Sequence, residues 1–292
     1  LNEYNVVVSL SIVIKNPLLP FVNTFYFIPT MAKKGKKIGA EAFESHYRVS
    51  LGDSQWEALK DAFQQEPEYH TVQWEPFPPY YLDPASVEAA KALTLKAGDR
   101  VLDLCAAPGG KSLILASQLP EGASLTSNEW SRSRRIRLSK VLSEHIPKPL
   151  SNQITVSGRD STKWCLHEQD AYDKILLDAP CSSERHVWNA PSHLQEWSPS
   201  RIKRLAQTQY TMLVSALEVV RVGGEIVYST CSLAEEENDG VLSKLHKKRA
   251  GRFEILPVSA PLGKATEWGW KIWPHTCKGQ GPIYFSKIRR LV

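Results

Sequence analysis

The sequence is short of the features that mark several common protein classes. It has five cysteines in 292 residues, Cys105, Cys165, Cys181, Cys231 and Cys277. They are odd in number, widely spaced and contain no C-x-x-C pair, which excludes a disulfide framework or a zinc ribbon and points to a reducing, cytoplasmic setting with no bound metal. No apolar run reaches the ~18 residues of a spanning helix, so no membrane partner is expected. There is no repeat at a fixed period, no G-x-G-x-x-G and no strong excess of one charge, the net charge being +5. What is present suffices for a globular core: 42% hydrophobic residues, 23% charged and nine tryptophans exclude a disordered or collagen-like chain. The mildly basic balance permits a polyanionic partner without requiring one.

The first thirty residues stand apart. Apolar runs from Val6 to Ile14 and from Phe21 to Ile28 are broken by Pro17 and Pro20, with no Arg and an acidic Glu3, so neither a transit peptide nor a secretory signal fits. Met31, one of two methionines, is followed by Ala32-Lys33-Lys34-Gly35-Lys36-Lys37. Translation is expected to start there, leaving residues 1–30 outside the native protein.

From Met31 the pattern divides in two. Residues 31–95 read as a helical lead-in. Ser54-Gln55-Trp56-Glu57 has the form of a capping box, Trp56, Leu59 and Phe63 fall on one helical face, a Pro/aromatic loop follows from Trp74, and Asp83-Pro84 begins another helix. Residues 96–292 alternate short apolar strands with helices, the signature of a doubly wound, mainly parallel α/β sheet. Strands are predicted at Val101–Cys105, Ser124–Asn128, Gln153–Ser157, Lys174–Asp178 and Glu225–Ser229, with helices at Lys111–Leu119, Arg132–His145 and Arg201–Arg221. The last helix is expected to stop before Gly223-Gly224, and the alternating segment Pro282 to Arg290 to form an antiparallel edge strand.

Chemistry in such a sheet belongs at the carboxyl ends of the strands. The first strand runs into Cys105-Ala106-Ala107-Pro108-Gly109-Gly110-Lys111, where small residues admit a ligand to the backbone and the following helix start favours an anionic group. A strand, glycine turn and helix suits NAD, FAD and S-adenosylmethionine almost equally, and a plain tight turn is its bland counterpart. Glu129, ending the second strand, is placed to accept the ribose hydroxyls of an adenosine, and Asp160, after the third, to accept from an adenine amino group or merely to cap its own turn. The fourth and fifth strands end in Asp178-Ala179-Pro180-Cys181-Ser182-Ser183 and Thr230-Cys231-Ser232. If adjacent, they bring Asp178, Cys181 and Cys231 around one crevice, and two thiols with a carboxylate are hard to explain as packing.

VLDLCAAPGGKS, DAPCSS and VYSTCSLAEEEN, in that order, resemble the signature motifs of the Sun/NOP family of S-adenosylmethionine-dependent RNA cytosine-C5 methyltransferases. The resemblance covers roughly Phe43 to Arg290. FESHYRVSLGD, DAPCSSERH and GPIYFSKIRRL are most similar to the branch that acts on mitochondrial ribosomal RNA. Ser183-Glu184-Arg185-His186 departs from the glycines of the larger bacterial branch, and Glu129 stands where Asp is usual. The resemblance implies a class I, Rossmann-like methyltransferase domain in which Cys105 to Lys111 holds the methionine end of the cofactor, Glu129 the ribose and Asp160 the adenine. Asp178 would border cofactor and cytosine, Cys231 would be the nucleophile, and Cys181 would assist product release.

An RNA partner, ribosomal before transfer RNA, agrees with basic clusters at Arg132, Arg134, Arg135, Arg137 and Lys140, at Lys244, Lys247, Lys248, Arg249 and Arg252, and at Lys287, Arg289 and Arg290, each of which reads equally as a solvated face. Substrate choice is expected to come from the lead-in, the catalytic surface or a ribosome-assembly partner protein. Trp188, Trp197, Trp268, Trp270 and Trp273 are expected in the core before any stacking role, and His186 in a structural hydrogen bond. A catalytically inactive RNA-binding assembly factor of the same fold is the alternative, disfavoured by the intact cysteine pair. A nicotinamide oxidoreductase is disfavoured by the form of the glycine turn.

Overall fold

The structure is a computed structural model that describes residues 38–292; the expectations for residues 1–30 and for a start at Met31 lie outside the described residues. Helices α1 (Ala40–Leu51) and α2 (Asp53–Phe63) lead into a small antiparallel pair, β1 (His70–Val72) and β2 (Tyr80–Leu82), and then α3 (Pro84–Lys91). The sheet domain continues with β3 (Arg100–Asp103), α4 (Gly110–Ser117), β4 (Ser124–Asn128), α5 (Arg132–His145), α6 (Lys148–Ser151) and β5 (Ile154–Ser157). β6 (Tyr172–Asp178), α7 (Glu184–Trp188), α8 (Pro191–Gln195), α9 (Pro199–Val219) and β7 (Val220–Thr230) follow. The chain closes with α10 (Asp239–Arg249), β8 (Phe253–Leu256), β9 (Lys264–Ala265), β10 (Trp270–Ile272) and β11 (Ile283–Arg290).

The sheet order is β5-β4-β3-β6-β7-β11-β10-β9, with β8 also pairing β11. The first five strands are mutually parallel and β11 runs antiparallel to β7. Both faces are buried, and the period of two assigns the side chains. Val101, Leu176 and Val227 join one core with α3, α4 and α5. Leu102, Ile175, Leu177, Ile226 and Tyr228 join the opposite core with α9 and α10. A third cluster packs Phe43, Tyr47, Trp56, Leu59 and Phe63 of the lead-in against Trp197, Ile202 and Leu233. This is the doubly wound α/β sheet that the sequence pattern predicts, and the tryptophans considered for stacking pack in or against these cores.

Local departures have local causes. Helix α2 starts at Asp53 behind Gly52 (φ 84°), with no side-chain cap, so Ser54 is not a capping residue. Glu57, the other half of the expected box, is drawn instead to Lys60 (2.9 Å) and Arg48. The Asp83 cap is present, its Oδ1 accepting the Ala85 N–H at 2.8 Å. The Pro/aromatic loop carries the β1/β2 pair. Helix α9 stops before the glycines as expected but ends at Val219 and not Arg221, because Val220 is already extended and Arg290 takes the carbonyls of Glu218 (3.0 Å) and Val220 (2.7 Å). Gly223 and Gly224 lie within β7, beside a register shift against β6. Nor is β11 an edge: it is antiparallel as expected but has β7 on one side and β10 and β8 on the other, and its side chains are mostly buried. Among the described residues no helix is long and apolar enough to cross a membrane.

A buried charge cluster joins β6, β7 and β11. Glu225 accepts from Lys174 at 2.7 Å and lies 3.1 Å from Lys287 and 3.3 Å from Arg289. Burial opposes its charge, but hydrogen bonds from Lys174 and Lys287 outweigh it and pull the carboxyl from 4.5 down to about 2. Because the folded value is the lower one, this stabilisation is present above pH 4.5 and is lost as the pH falls from there towards about 2. Glu225→Gln leaves Lys174 buried without its counter-charge and should lower stability by about 3–5 kcal/mol near neutrality. Urea unfolding of both proteins should show the difference shrinking on acidification through this window; a difference that stays constant would mean the cluster contributes nothing through its charge.

Candidate active site

The five parallel strands deliver their carboxyl ends to one rim, and the order of connection reverses between β3 and β6. That reversal opens a crevice where the loops after neighbouring strands diverge. The register of β6 and β7 sets the centre of the site. Asp178 pairs with Ser229, so Ser229 Oγ donates to Asp178 Oδ1 at 2.8 Å. Lys111, in the first turn of α4, donates to Asp178 Oδ2 at 2.8 Å. Burial opposes the Lys111 charge, but the adjacent carboxylate prevails and holds it above its ordinary value, so it stays an ammonium.

Three residues beyond Asp178 and two beyond Ser229, the chains meet again. Cys181 Sγ lies 3.0 Å from Cys231 Sγ, and Ser183 Oγ lies 3.3 Å from Cys231 and 3.5 Å from Cys181. Both thiols are free. Their surroundings make them unequal. Cys231 is lowered from its ordinary value, chiefly by the Cys181 hydrogen bond, with help from Ser183 and Lys111 against burial and the Asp178 charge. Cys181 is raised, by that same contact with Cys231 and by burial. The contact therefore favours ionisation of Cys231 over that of Cys181, whose Sγ also accepts the Cys231 backbone N–H at 3.3 Å.

What keeps the two loops at this distance is a buried polar network that sequence reading missed. Each cysteine is followed by a serine. Ser182 donates its N–H (3.0 Å) and its hydroxyl to Glu237, which also accepts from Gln209 at 2.7 Å. The Ser232 hydroxyl lies 3.1 Å from Glu237 and 3.0 Å from Glu184, and Glu184 accepts the Tyr47 hydroxyl (2.6 Å) and the Leu233 N–H (2.9 Å). Lys271 donates to the Ser232 carbonyl. Burial and the neighbouring Glu184 push Glu237 up to about 7, and burial pulls Lys271 down to about 8. In the sequence, Glu237 sits in an acidic run that reads as solvated surface and Glu184 in an ordinary helix start, so neither carries a usable signal.

On the other side of Asp178, Asp103, Cys105, Ala106, Ala107, Pro108, Gly110 and Lys111 line a cleft with Tyr80 and Ser86. Gly109 has φ +127°, and a Cβ there would lie 2.9 Å from Val141, so the tight turn needs glycine. Cys105 is raised by burial and remains a thiol. Asp103 is fully buried: Ser112 donates to its Oδ2 at 2.7 Å, while its Oδ1 has no partner. Burial pushes this carboxyl up to about 7. An unpartnered buried carboxylate oxygen on such a cleft calls for a ligand donor or cation. The signal was available in VLDLC, where a charge interrupts an apolar strand.

A further cleft of about 230 Å³ joins Cys105, Lys111 and Asp178 to Cys181, Ser183 and Cys231. The structure thus brings together Cys105 to Lys111, Asp178 and both cysteines. Glu129 and Asp160 do not line these clefts. Glu129 is buried at the end of β4, its Oε1 accepting the Ser131 N–H (2.8 Å) and its Oε2 3.2 Å from Arg134. Asp160 caps its own turn, accepting the Thr162 N–H (2.9 Å) and hydroxyl (2.7 Å).

The basic clusters divide. Arg134 and Arg135 are engaged with loop carbonyls, Arg134 with Ala107 (2.8 Å) and Arg135 with Glu129 (2.8 Å) and Trp130 (3.0 Å), and the cluster on β11 is held in ion pairs with Glu225, Glu254 and Asp170. His186 does not fill the expected structural role: it is exposed and makes no side-chain hydrogen bond among the described residues. Among the described residues no group of His, Cys, Asp and Glu could hold a metal ion.

Residues 90–289 match the family model described as 16S rRNA methyltransferase RsmB/F. The chain is similar to the 5-cytosine rRNA methyltransferase NSUN4 of Mus musculus, with 34% identity over 231 residues, covering 73% of this chain and 60% of that protein. It is 38% identical over 224 residues to the mitochondrial tRNA (cytosine(34)-C(5))-methyltransferase of Danio rerio, covering 73% and 60%. The crystal structure of NSun6 from Pyrococcus horikoshii with SFG superposes with a TM-score of 0.63 at 26% identity, covering 73% of this chain and 53% of that one. The chain spans about three fifths of the length of these curated relatives.

The inequality of the thiols is measurable without a substrate. Iodoacetamide should alkylate Cys231 faster than Cys181 at pH 7, and Cys181→Ala, which removes the contact that lowers Cys231, should move the midpoint of Cys231 alkylation to higher pH. An unmoved or lowered midpoint would show that Cys181 does not stabilise the thiolate.

Proposed function

The chain belongs to the RsmB/F family of 16S rRNA methyltransferases, and from that membership we propose that it transfers a methyl group from S-adenosylmethionine to C5 of a cytosine in ribosomal RNA. The observation that carries the reading is the free Cys231 thiol, 3.0 Å from Cys181 and 3.3 Å from Ser183, opening onto the cleft that also holds Asp178 and Lys111. The glycine turn and the unpartnered oxygen of Asp103 fit the cofactor, whose amino-acid end carries an ammonium group. Asp103 and the backbone from Cys105 to Lys111 would hold that end, Glu129 the ribose and Asp160 the adenine. Bound there, S-adenosylmethionine supplies an electrophilic methyl group.

C5 of cytosine is a poor nucleophile until a thiolate adds to C6. Cys231 performs the addition, pushing electron density towards N3 and onto C5, whose electron pair would bond the methyl group as the sulfonium–methyl bond breaks and a neutral thioether leaves. The Lys111 ammonium and the Asp178 carboxylate it bridges would meet that charge and the exocyclic amine. Once Cys231 is bonded to carbon it no longer holds the Cys181 proton, so the main cause of the raised Cys181 value disappears. Cys181 can then lose its proton to solvent and take the one on C5. The electron pair of that C–H bond reforms the C5–C6 double bond and expels Cys231 as thiolate. A target in a stem would have to be unstacked first.

The test uses a transcribed small-subunit ribosomal RNA and labelled S-adenosylmethionine, with bisulfite sequencing to map the product. The native chain should methylate one cytosine. Cys231→Ala should give neither product nor adduct, and Cys181→Ala should accumulate a denaturant-resistant protein–RNA complex that ribonuclease collapses. Trapping by Cys231→Ala instead would reverse the roles, and full activity of both variants would leave neither thiol chemical. Methylation of transfer RNA alone would move the substrate to the class named for the Danio rerio relative. By calorimetry, Asp103→Asn and Glu129→Ala should each weaken S-adenosylmethionine binding about tenfold, the scale of one charged hydrogen bond.

A further inference from the structure

Cys231 lines a second cleft, of about 420 Å³, which contains none of the residues of the glycine turn. Its walls come from the start of α3, from α7 and from the loop before β11. Two formal charges in that wall are spent on backbone. Asp83 accepts the Ala85 and Gly281 N–H groups, each at 2.8 Å. Arg185 donates to the carbonyls of Gly279 (2.5 Å), Gly281 (2.9 Å) and Gln65 (2.5 Å). Asn189 is likewise engaged, accepting from Gln64 at 3.1 Å and donating to the Phe63 carbonyl at 3.3 Å. His186 differs: exposed, with its ring 5.0 Å from that of His193, it leaves both ring nitrogens available to whatever enters.

The chemistry at Cys231 dictates what that is. In cytosine, C6 lies between C5 and N1. A bond from Cys231 to C6 therefore sends C5 to one flank of the sulfur and N1 to the other. C5 must face the cleft with Lys111 and Asp178, so N1, and the ribose it carries, faces the second cleft. With Asp83 and Arg185 both committed, that cleft offers no spare cation for a phosphate. The free ring nitrogens of His186 are of the kind that hydrogen-bond a hydroxyl group.

We propose that the cleft bounded by Ser183, His186 and Asn189 receives the ribose of the target nucleotide, and that His186 hydrogen-bonds its 2′-hydroxyl, the group that separates RNA from DNA. This rests on Cys231 adding to C6.

Two synthetic oligonucleotides carrying the mapped cytosine test it, one with ribocytidine and one with 2′-deoxycytidine at that position in an otherwise identical RNA. The native chain should favour the ribo substrate about tenfold in kcat/KM, the scale of one hydrogen bond. His186→Ala should raise KM for the ribo substrate by a similar factor, leave kcat nearly unchanged and bring the two substrates level. His186→Asn, which keeps a donor and an acceptor, should recover part of the preference. The ring is exposed, so these variants should melt with the native chain. An unchanged ribo/deoxy ratio in His186→Ala overturns the assignment while leaving the methyltransferase reading intact. If the native chain methylates neither oligonucleotide, that reading fails and the ribose pocket falls with it.

Discussion

Two buried carboxylates that meet at one hydroxyl hold the site in register. Glu184 and Glu237 share the Ser232 side chain, and Glu237 also grips Ser182, so the residue after each cysteine is tied into one network. Without that tie, Cys181 and Cys231 sit on separate loops with no reason to approach within 3.0 Å. The arrangement is costly. Burying two acids close together works against ionisation, which is why Glu237 rises to about 7, and the compensation comes from hydrogen bonds to Ser182, Gln209, Tyr47 and Leu233 and from the nearby Lys271. Tyr47 belongs to α1, so the helical lead-in takes part in building the rim of the candidate site.

The sheet supplies the other half of the geometry. Parallel pairing of β6 with β7 sets Asp178 beside Ser229, and pairing of β3 with β6 brings the glycine turn and Lys111 to the same rim. Lys111 then serves two purposes: it compensates the Asp178 charge and contributes to lowering Cys231. Charge is managed similarly at depth, where Glu225 ties β6, β7 and β11 together. Such pairs do more for the choice of register than for net stability, since their desolvation offsets much of their attraction.

The same economy explains the basic residues. Arg134 and Arg135 brace the loops around the cofactor side, and Lys287, Arg289 and Arg290 brace β11, so a count of positive charges overstates the surface left for a polyanion. Near Cys231, Arg185 is spent on three carbonyls and the neighbouring His186 is left free. The residue with fewer internal bonds is the better candidate for touching a substrate.

Strand and helix periodicity determined the sheet and its parallel core, and the glycine turn with the Pro-Cys and Thr-Cys strand ends marked residues that meet at the candidate site, because these are local patterns of two and 3.6 residues or short motifs. Boundaries failed where a distant partner intervened. Arg290 ends α9 early, Lys60 and Arg48 take Glu57 from the expected cap, and β8 and β10 turn a supposed edge into an interior strand. The inequality of the two thiols, the orphaned oxygen of Asp103 and the Glu184–Ser232–Glu237 tie were decided only by tertiary structure. Each depends on burial and on atoms brought together across long stretches of chain, and a linear pattern carries neither.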